Sequence, residues 1–413
     1  MSDAPANAEP LPEPEAGRQS WFGPSVRGIG GASLLSDLGH EVPTSLLPSF
    51  LTSTLGAPAA ALGLIEGIAD GLAGVARLGG GALADDPDRR RATAIGGYTA
   101  VAVLSGLIGA ATSVWQVGVL RAGAWTARGL RVPARNALLA DAVPSEVYGR
   151  AYGFERAMDN LGAVFGPLLA LVLVALVSVR TAILLSIIPG LFAVLAIIYA
   201  VRHMPRLARR ERQRIRLRVR PVLHGRLGAL LLAIGAFEFG NIAATLLILR
   251  ATQLLEPGRG LQSATQIALV LYAGYNLAAT LASIPAGHLG DRRGMLRVLA
   301  SGVVLFAVAF VLLAATGPSI ALILVGFVCA GIAIGCVETA EHAAVAVLAP
   351  ETLRGSAFGL LAAAQSFGNL AASAIAGLLW SLVSPAAAFI YAAAWMVLAL
   401  GLLARVRSGG RAR

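Results

Sequence analysis

The chain has 413 residues, 57% of them hydrophobic and 13% charged, with a mean hydropathy of +0.74. That leaves too little polar surface for a soluble domain, and apolar stretches able to cross about 30 Å of hydrocarbon recur along almost the whole length, so an integral membrane protein is expected. The net charge is +11, and with no lysine present all 33 basic residues are arginine.

The first 20 residues are rich in Pro, Glu and Ala and lack a basic stretch before an apolar run, so 1–27 reads as a disordered cytoplasmic tail and not as a signal peptide. Twelve candidate spans follow, at about 28–52, 58–82, 92–112, 114–141, 148–178, 180–201, 226–250, 264–288, 296–315, 319–347, 354–382 and 385–405. Span one carries Asp37, His40 and Glu41 at i, i+3 and i+4. Span two carries Glu66, Asp70 and Arg77 within an arc of about 40°. Span four carries Arg121, Arg128, Arg131 and Arg135 within an arc of about 80°, with a kink expected around Gly129 and Pro133. Span five adds Glu155, Arg156 and Asp159. Charges in a bilayer cost several kcal/mol unless they face a cavity or a partner, so these four spans should share a polar interior.

The second half is quieter. Glu238 and Asn241 share a face of span seven, while Tyr272, Tyr275 and Asn276 line span eight. Span ten holds Glu338, Glu341 and His342, and span eleven holds Gln365 and Asn369. Cys329 and Cys336 lie seven residues apart, about 10.5 Å along a helix, too far for a disulfide. No cysteine cluster of metal-binding type occurs, and no metal site is assigned.

The loops set the orientation. Those after even-numbered spans hold the arginines (DDPDRRR, PSEVYGR, DRRGMLR, PETLR), and the central linker, 202–225, lies in a stretch with ten arginines and one glutamate. Loops after odd spans are nearly free of charge, so the positive-inside rule puts both termini (the second tail being 406–413) and the linker in the cytoplasm, at the inner membrane. This distribution accounts for the net charge without nucleic acid; the partners expected are a small-molecule substrate and the bilayer, with the protein a monomer. Adding 206 to a position in the first half lands on its counterpart: Gly81 on Gly287, Asp85 on Asp291, Pro144 on Pro350, Gly149 on Gly355 and Gly162 on Gly368. The fold class is therefore all-α integral membrane, twelve transmembrane helices in two pseudo-symmetric six-helix bundles at 28–201 and 226–405.

Twelve spans, two repeated halves and these loops resemble the major facilitator superfamily of secondary transporters. The superfamily's loop signature, a Gly followed by Asp-Arg-x-Gly and basic residues, stands in the second half as GHLGDRRGMLR, with Asp291, Arg292 and Arg297. In the first half it stands as GALADDPDRRR, where Asp85 and Arg89 fit while Asp86 and Asp88 replace Arg and Gly. Span five, GFERAMDNLGAVFGPLLA, is similar to the antiporter motif of proton-coupled exporters at Gly153, Gly162, Gly166 and Pro167, although Ala170-Leu171 stands where that motif closes on Gly-Gly. Such glycines let helices approach closely, and the proline breaks the backbone where a rocking bundle bends.

The resemblance implies alternating access driven by the proton gradient, with no cofactor and no enzymatic activity. Asp85 is expected at the start of span eleven and Asp291 at the start of span five, where helix N-termini favour negative charge and hold the cytoplasmic side closed; neutralising Asp85 should then favour the inward-open state. The candidate substrate-binding residues are Arg121, Arg128, Arg131, Asp37, Glu41, Glu66, Asp70, Glu238, Asn241, Tyr272, Tyr275 and Asn276. Asp37, Glu41, Asp70 and Glu238 are the candidate proton carriers. Arg135, Glu155, Asp159 and Glu341 join the loop residues and span-five motif as gating candidates. Two readings of the span-four arginines stand open: they bind an anionic substrate through planar guanidinium forks, or they are counter-ions for the buried carboxylates. The leading function is proton-coupled export of a small organic compound, an anion being one candidate. The alternatives are a divalent-metal exporter using Asp37, His40 and Glu41, and a membrane sensor that has lost transport.

Overall fold

The computed structural model describes residues 21–204 and 215–408. Most of the N-terminal tail, the middle of the arginine-rich linker and the last five residues, for which the sequence predicts tails and a solvated loop, lie outside the described residues. Twelve spans form, and no strand occurs among the described residues. They are α1 (Pro24–Ser49), α2 (Ala59–Ala84), α3 (Pro87–Leu107), α4 (Val114–Ala142), α5 (Tyr148–Leu176) and α6 (Val179–Arg202) in the first half. The second half holds α7 (Gly225–Glu238 and Ala244–Arg259), α8 (Leu261–Arg293), α9 (Met295–Ala315), α10 (Ile320–Leu348), α11 (Arg354–Leu382) and α12 (Pro385–Ser408). Eight of these are long and apolar enough to cross a membrane on length and composition alone. The other four are α1, α2 and α4, which carry interior charges, and α7, which is broken.

Small residues set the packing. In α2, Gly80 faces the Leu130 backbone of α4, and in α4 Gly129 faces Ala73 and Ala76 of α2, so α2 and α4 meet almost backbone to backbone. Gly162 and Gly166 of α5 lie against Asp37 and Glu41 of α1, and Pro167 sits inside the same helix. The outward faces are apolar and exposed (Leu64, Leu171, Leu281 and Leu382 among them), as suits hydrocarbon contact.

The sequence predicts span seven as a continuous helix over 226–250, whereas α7 breaks between Glu238 and Ala244 and resumes to Arg259. The break has two local causes. Gly240 sits where a Cβ would come within 2.7 Å of Trp395 and Met396 of α12, so the chain can pass there only without a side chain. The backbone groups freed by the break find partners on α11: Asn369 Nδ2 donates to Asn241 O at 2.7 Å and the Ala243 N–H donates to Ser373 Oγ at 2.9 Å. Broken helices survive at membrane depth where neighbours replace the lost hydrogen bonds in this way.

Candidate functional site

The two halves enclose a central cavity of about 590 Å³. Asp70, Arg77, Trp125, Arg128, Arg131, Arg135, Arg156 and Asp159 wall it from the first half. Glu238, Asn241, Glu338, His342, Gln365 and Asn369 wall it from the second. A larger cavity of about 730 Å³ lies beside the arginine-rich loops, between Asp291, Arg226, Arg293 and Arg297, away from this cluster.

The arginines of α4 share one helix face but reach different partners. Arg121 bonds Glu66 at 2.9 Å and Thr44 Oγ1 at 3.0 Å, and its guanidinium lies 3.5 Å from the Trp125 ring centre. Trp125 in turn donates its indole N–H to Asp70 at 2.7 Å. Arg128 bonds His40 Nε2 and lies 3.6 Å from Asp37. Arg135 bonds Glu155 at 2.7 Å, Asp159 at 3.2 Å and Ser33 Oγ at 3.0 Å. Arg156 closes this group, bonding Glu155 at 2.7 Å and Asp159 at 3.3 Å, so two guanidinium groups and two carboxylates neutralise one another between α4 and α5. Arg131 differs: it is 2% exposed, lies 3.9 Å from the Tyr98 ring centre, and its Nε and Nη1 have no hydrogen-bond partner.

In α1, His40 stands 3.3 Å from Asp37 and 3.4 Å from Glu41, with Arg128 reaching in beside them. Among the described residues no three ligand-type side chains converge to hold a metal ion. Asp37, Glu41, Glu66 and Arg121 stand outside the cavity wall, in the network that supports it. Tyr272 and Tyr275 stack at 5.7 Å on α8, and Asn276 Nδ2 donates back to Tyr272 O at 3.1 Å; none of the three walls the cavity.

The second half contributes carboxyl groups that have no arginine partner among the described residues. Glu238, 3% exposed, accepts from Asn241 Nδ2 at 2.9 Å. Glu341 is fully buried, bonds Gln365 and leaves Oε2 without a partner. Glu338 walls the cavity with its carboxyl unpartnered among the described residues, while its backbone carbonyl accepts from His342 Nδ1 at 2.7 Å. Cavity and supporting network together hold six arginines (77, 121, 128, 131, 135, 156) and nine carboxylic acids (Asp37, Glu41, Glu66, Asp70, Glu155, Asp159, Glu238, Glu338, Glu341), so the acids exceed the arginines by three.

The hydrogen bonds found between the halves lie from the cavity to the arginine-rich end. Asp85 accepts from the Ser356 N–H at 2.8 Å and from Ser356 Oγ at 2.5 Å, at the start of α11. Asp291 accepts from the backbone N–H groups of Gly149 and Arg150 at 2.7 and 3.1 Å and from Arg150 Nε at 2.9 Å, at the start of α5. Both carboxylates thus sit on a helix N-terminus of the opposite half. Burial holds the Asp85 carboxyl above the usual aspartate range, although the Ser356 hydrogen bonds pull the other way. Gly81 packs on Gly355 and Gly359, and Gly149 on Gly287, closing the same end.

A further clasp joins the halves there. Asp141 bonds Arg90 and, at 2.9 Å, Arg354, whose other nitrogen donates to Tyr148 Oη at 2.7 Å. Arg89, the loop arginine singled out from the sequence, stands 3.6 Å from Asp86, and Arg292 and Arg297 are exposed. The sequence reading missed Arg90, Asp141 and Arg354 because their meeting depends on three separate helix ends. Their spacing along the chain carries no sign of it.

Two repeated bundles around a charged mid-membrane cavity define a multi-pass transporter fold. The chain belongs to the Major Facilitator Superfamily, whose family model matches residues 29–257 and 228–412. It is 28% identical over 378 residues to an uncharacterized MFS-type transporter of Methanocaldococcus jannaschii, covering 91% of this chain and 92% of the relative. It is also 28% identical to an uncharacterized protein of Mycobacterium tuberculosis, with 88% of each covered. Among solved structures it is similar to the Escherichia coli fucose:proton symporter FucP (TM-score 0.74, 15% identity, 94% of this chain and 99% of that one). A bacterial homologue of the iron transporter ferroportin, in an outward-facing state, gives a TM-score of 0.73 at 15% identity, with 93% and 99% covered. The human organic anion transporter MFSD10 gives 0.69 at 18% identity, with 92% and 99% covered. These likenesses carry the fold.

Proposed function

We propose that this transporter exports a small organic solute in exchange for protons across the cytoplasmic membrane, with both termini on the cytoplasmic side. The observation that supports it is the excess of carboxylic acids over arginines around a cavity shared by both halves. Guanidinium groups stay charged at any working pH, so the carboxyl groups left without one are the places where a proton can board and leave. Glu238 and Glu338 wall the cavity and Glu341 lies directly behind it.

With the arginine-rich loops in the cytoplasm, the clasps at Asp85, Asp291 and Asp141 form the cytoplasmic gate and the structure stands closed toward that side. Opening would exchange these bonds for equivalent ones at the far end, which is alternating access. The antiporter-like glycines of α5 pack on α1 at Asp37 and Glu41, so a movement of α5 is felt at those carboxyl groups.

The test is reconstitution in vesicles carrying an internal pH dye. A ligand first identified by thermal shift is added under an imposed solute gradient. Solute movement one way should drive protons the other way, and Glu238→Gln with Glu338→Gln should abolish the proton signal. Protons moving with the solute would make the protein a symporter, and solute flux without protons would remove the coupling altogether.

A further inference from the structure

We propose that the transported solute is a zwitterion, bound between the two halves with its anionic end on Arg77 and Arg131 and its cationic end on Glu238 and Glu338. This rests on the reading of the central cavity as the substrate site, and goes on to name the substrate's chemistry.

Of the charged groups on the cavity wall, Arg128 reaches His40 and Asp37 and Asp70 accepts the Trp125 indole N–H; the others divide into two sets. Arg135, Arg156 and Asp159 are satisfied among themselves and by Glu155. The second set has no opposite charge within ion-pair distance among the described residues. Arg77 donates Nη1 to the Ala362 carbonyl at 2.7 Å and leaves Nε without a partner. Arg131 rests on the Tyr98 ring with two nitrogens unpartnered. Across the cavity, among the described residues, Glu238 has only an amide partner and the Glu338 carboxyl has no hydrogen bond or ion pair.

Arg77 and Arg131 stand on the first half, where Asp70 offsets one of them, and Glu238 and Glu338 on the second, so the uncompensated charge is positive on one wall and negative on the other. Unpaired charge at membrane depth is costly, and a ligand that supplies the missing partners recovers that cost. A simple anion would serve Arg77 and Arg131 and leave the two glutamates unserved until each took up a proton. A simple cation would do the reverse, and the arginines have no proton to shed. In the proton-free carrier only a solute with both charges completes both walls at once, and the cavity is of the size that encloses small organic ligands, roughly 300–1,000 Å³.

The experiment uses purified full-length protein and thermal shift with probes matched in size. Each probe is an ω-amino carboxylate or an aromatic dipeptide, offered as the zwitterion, as its N-acetyl form (anion only) and as its amide (cation only). The zwitterion is expected to bind at least about tenfold more tightly than either single-charge form, about 1.4 kcal/mol. Arg77→Gln should reduce it to the level of the amide, and Glu338→Gln to the level of the N-acetyl form. Arg77→Lys, which keeps the charge, serves should the glutamine variant fail to fold. Equal binding of the N-acetyl form or of the amide, or no shift from any zwitterion, overturns the proposal. If a single-charge form binds and the Arg77 or Glu338 variant abolishes it, the cavity remains the substrate site and only the zwitterion falls. Binding indifferent to Arg77, Arg131, Glu238 and Glu338 alike would remove the cavity reading as well.

Discussion

Glu155 has no exposed surface and is held between the guanidinium groups of Arg135 and Arg156. Removing it would leave two buried cations sharing Asp159, and stripping one partner from such a cluster costs about 3–5 kcal/mol. Glu155→Ala is therefore expected to lower the thermal midpoint of the purified protein by many degrees, while Glu155→Gln, which keeps an acceptor, should lie between it and the parent. A variant as stable as the parent would mean that water reaches the cluster. At this scale the sequence was informative about chemistry and silent about pairing. The spacing of Arg121, Arg128, Arg131 and Arg135 puts them on one face, yet one bonds a glutamate of α2, one a histidine of α1, one an aromatic ring of α3 and one the acids of α5. Each long side chain swings to a different neighbour, and helical periodicity does not encode that choice.

At the scale of an element, the break in α7 and the clasp at Asp85 each invite a test. Asn369→Ala would leave the Asn241 carbonyl unsatisfied at cavity depth, a loss of about 1–3 kcal/mol that a melting curve would register. The sequence marked Glu238 and Asn241 as polar residues on one face of an apolar helix. It could not mark the break, because the partners that make it tolerable lie some 130 residues away on α11.

For Asp85, the sequence reading expects any neutralised side chain to release the gate. The geometry separates loss of charge from loss of acceptor. A carboxyl held above its free value when clasped binds its proton more tightly there, so lowering the pH through that raised value favours the clasped state. Thr339 lies against Gly153 and Ser283, one turn in from the Gly149–Gly287 contact, so a Thr339→Cys reporter on a background with Cys329 and Cys336 changed to Ser would read this through labelling by an impermeant maleimide from the arginine-rich face. Labelling should fall as the pH falls. Asp85→Ala should raise it severalfold, and Asp85→Asn, which still offers an oxygen to the Ser356 N–H, should change it little. Equal gains in the two variants would return the effect to charge alone.

For the whole molecule, the constant offset of 206 residues foretold a gate built twice. Gly81 with Gly359 and Gly149 with Gly287 bring the halves into backbone contact at one end. Gly149→Val has no room for its side chain against Gly287, so it should hold the arginine-rich end open, with high Thr339→Cys labelling at every pH. Labelling no higher than in the parent would mean that the helices can slide past one another. The fold was legible because repetition and hydropathy act over whole spans. The cavity was legible only in part, since Arg77, Trp125, Arg156, Glu338, His342 and Gln365 line it from five separate helices.

The nine acids and six arginines of the interior also bear on how the transporter answers to membrane voltage. Each elementary charge that crosses the full membrane exchanges about 2.3 kcal/mol with a potential of 100 mV. The guanidinium charges are permanent, so the electrical force on the empty carrier is set by how many carboxyl groups hold a proton as the halves rock. A carrier loaded with three protons is electrically neutral inside and turns without regard to voltage, whereas each proton lost adds a negative charge on which the potential can act. Acidity would thus decide how strongly the same membrane potential can drive the return of the unloaded protein.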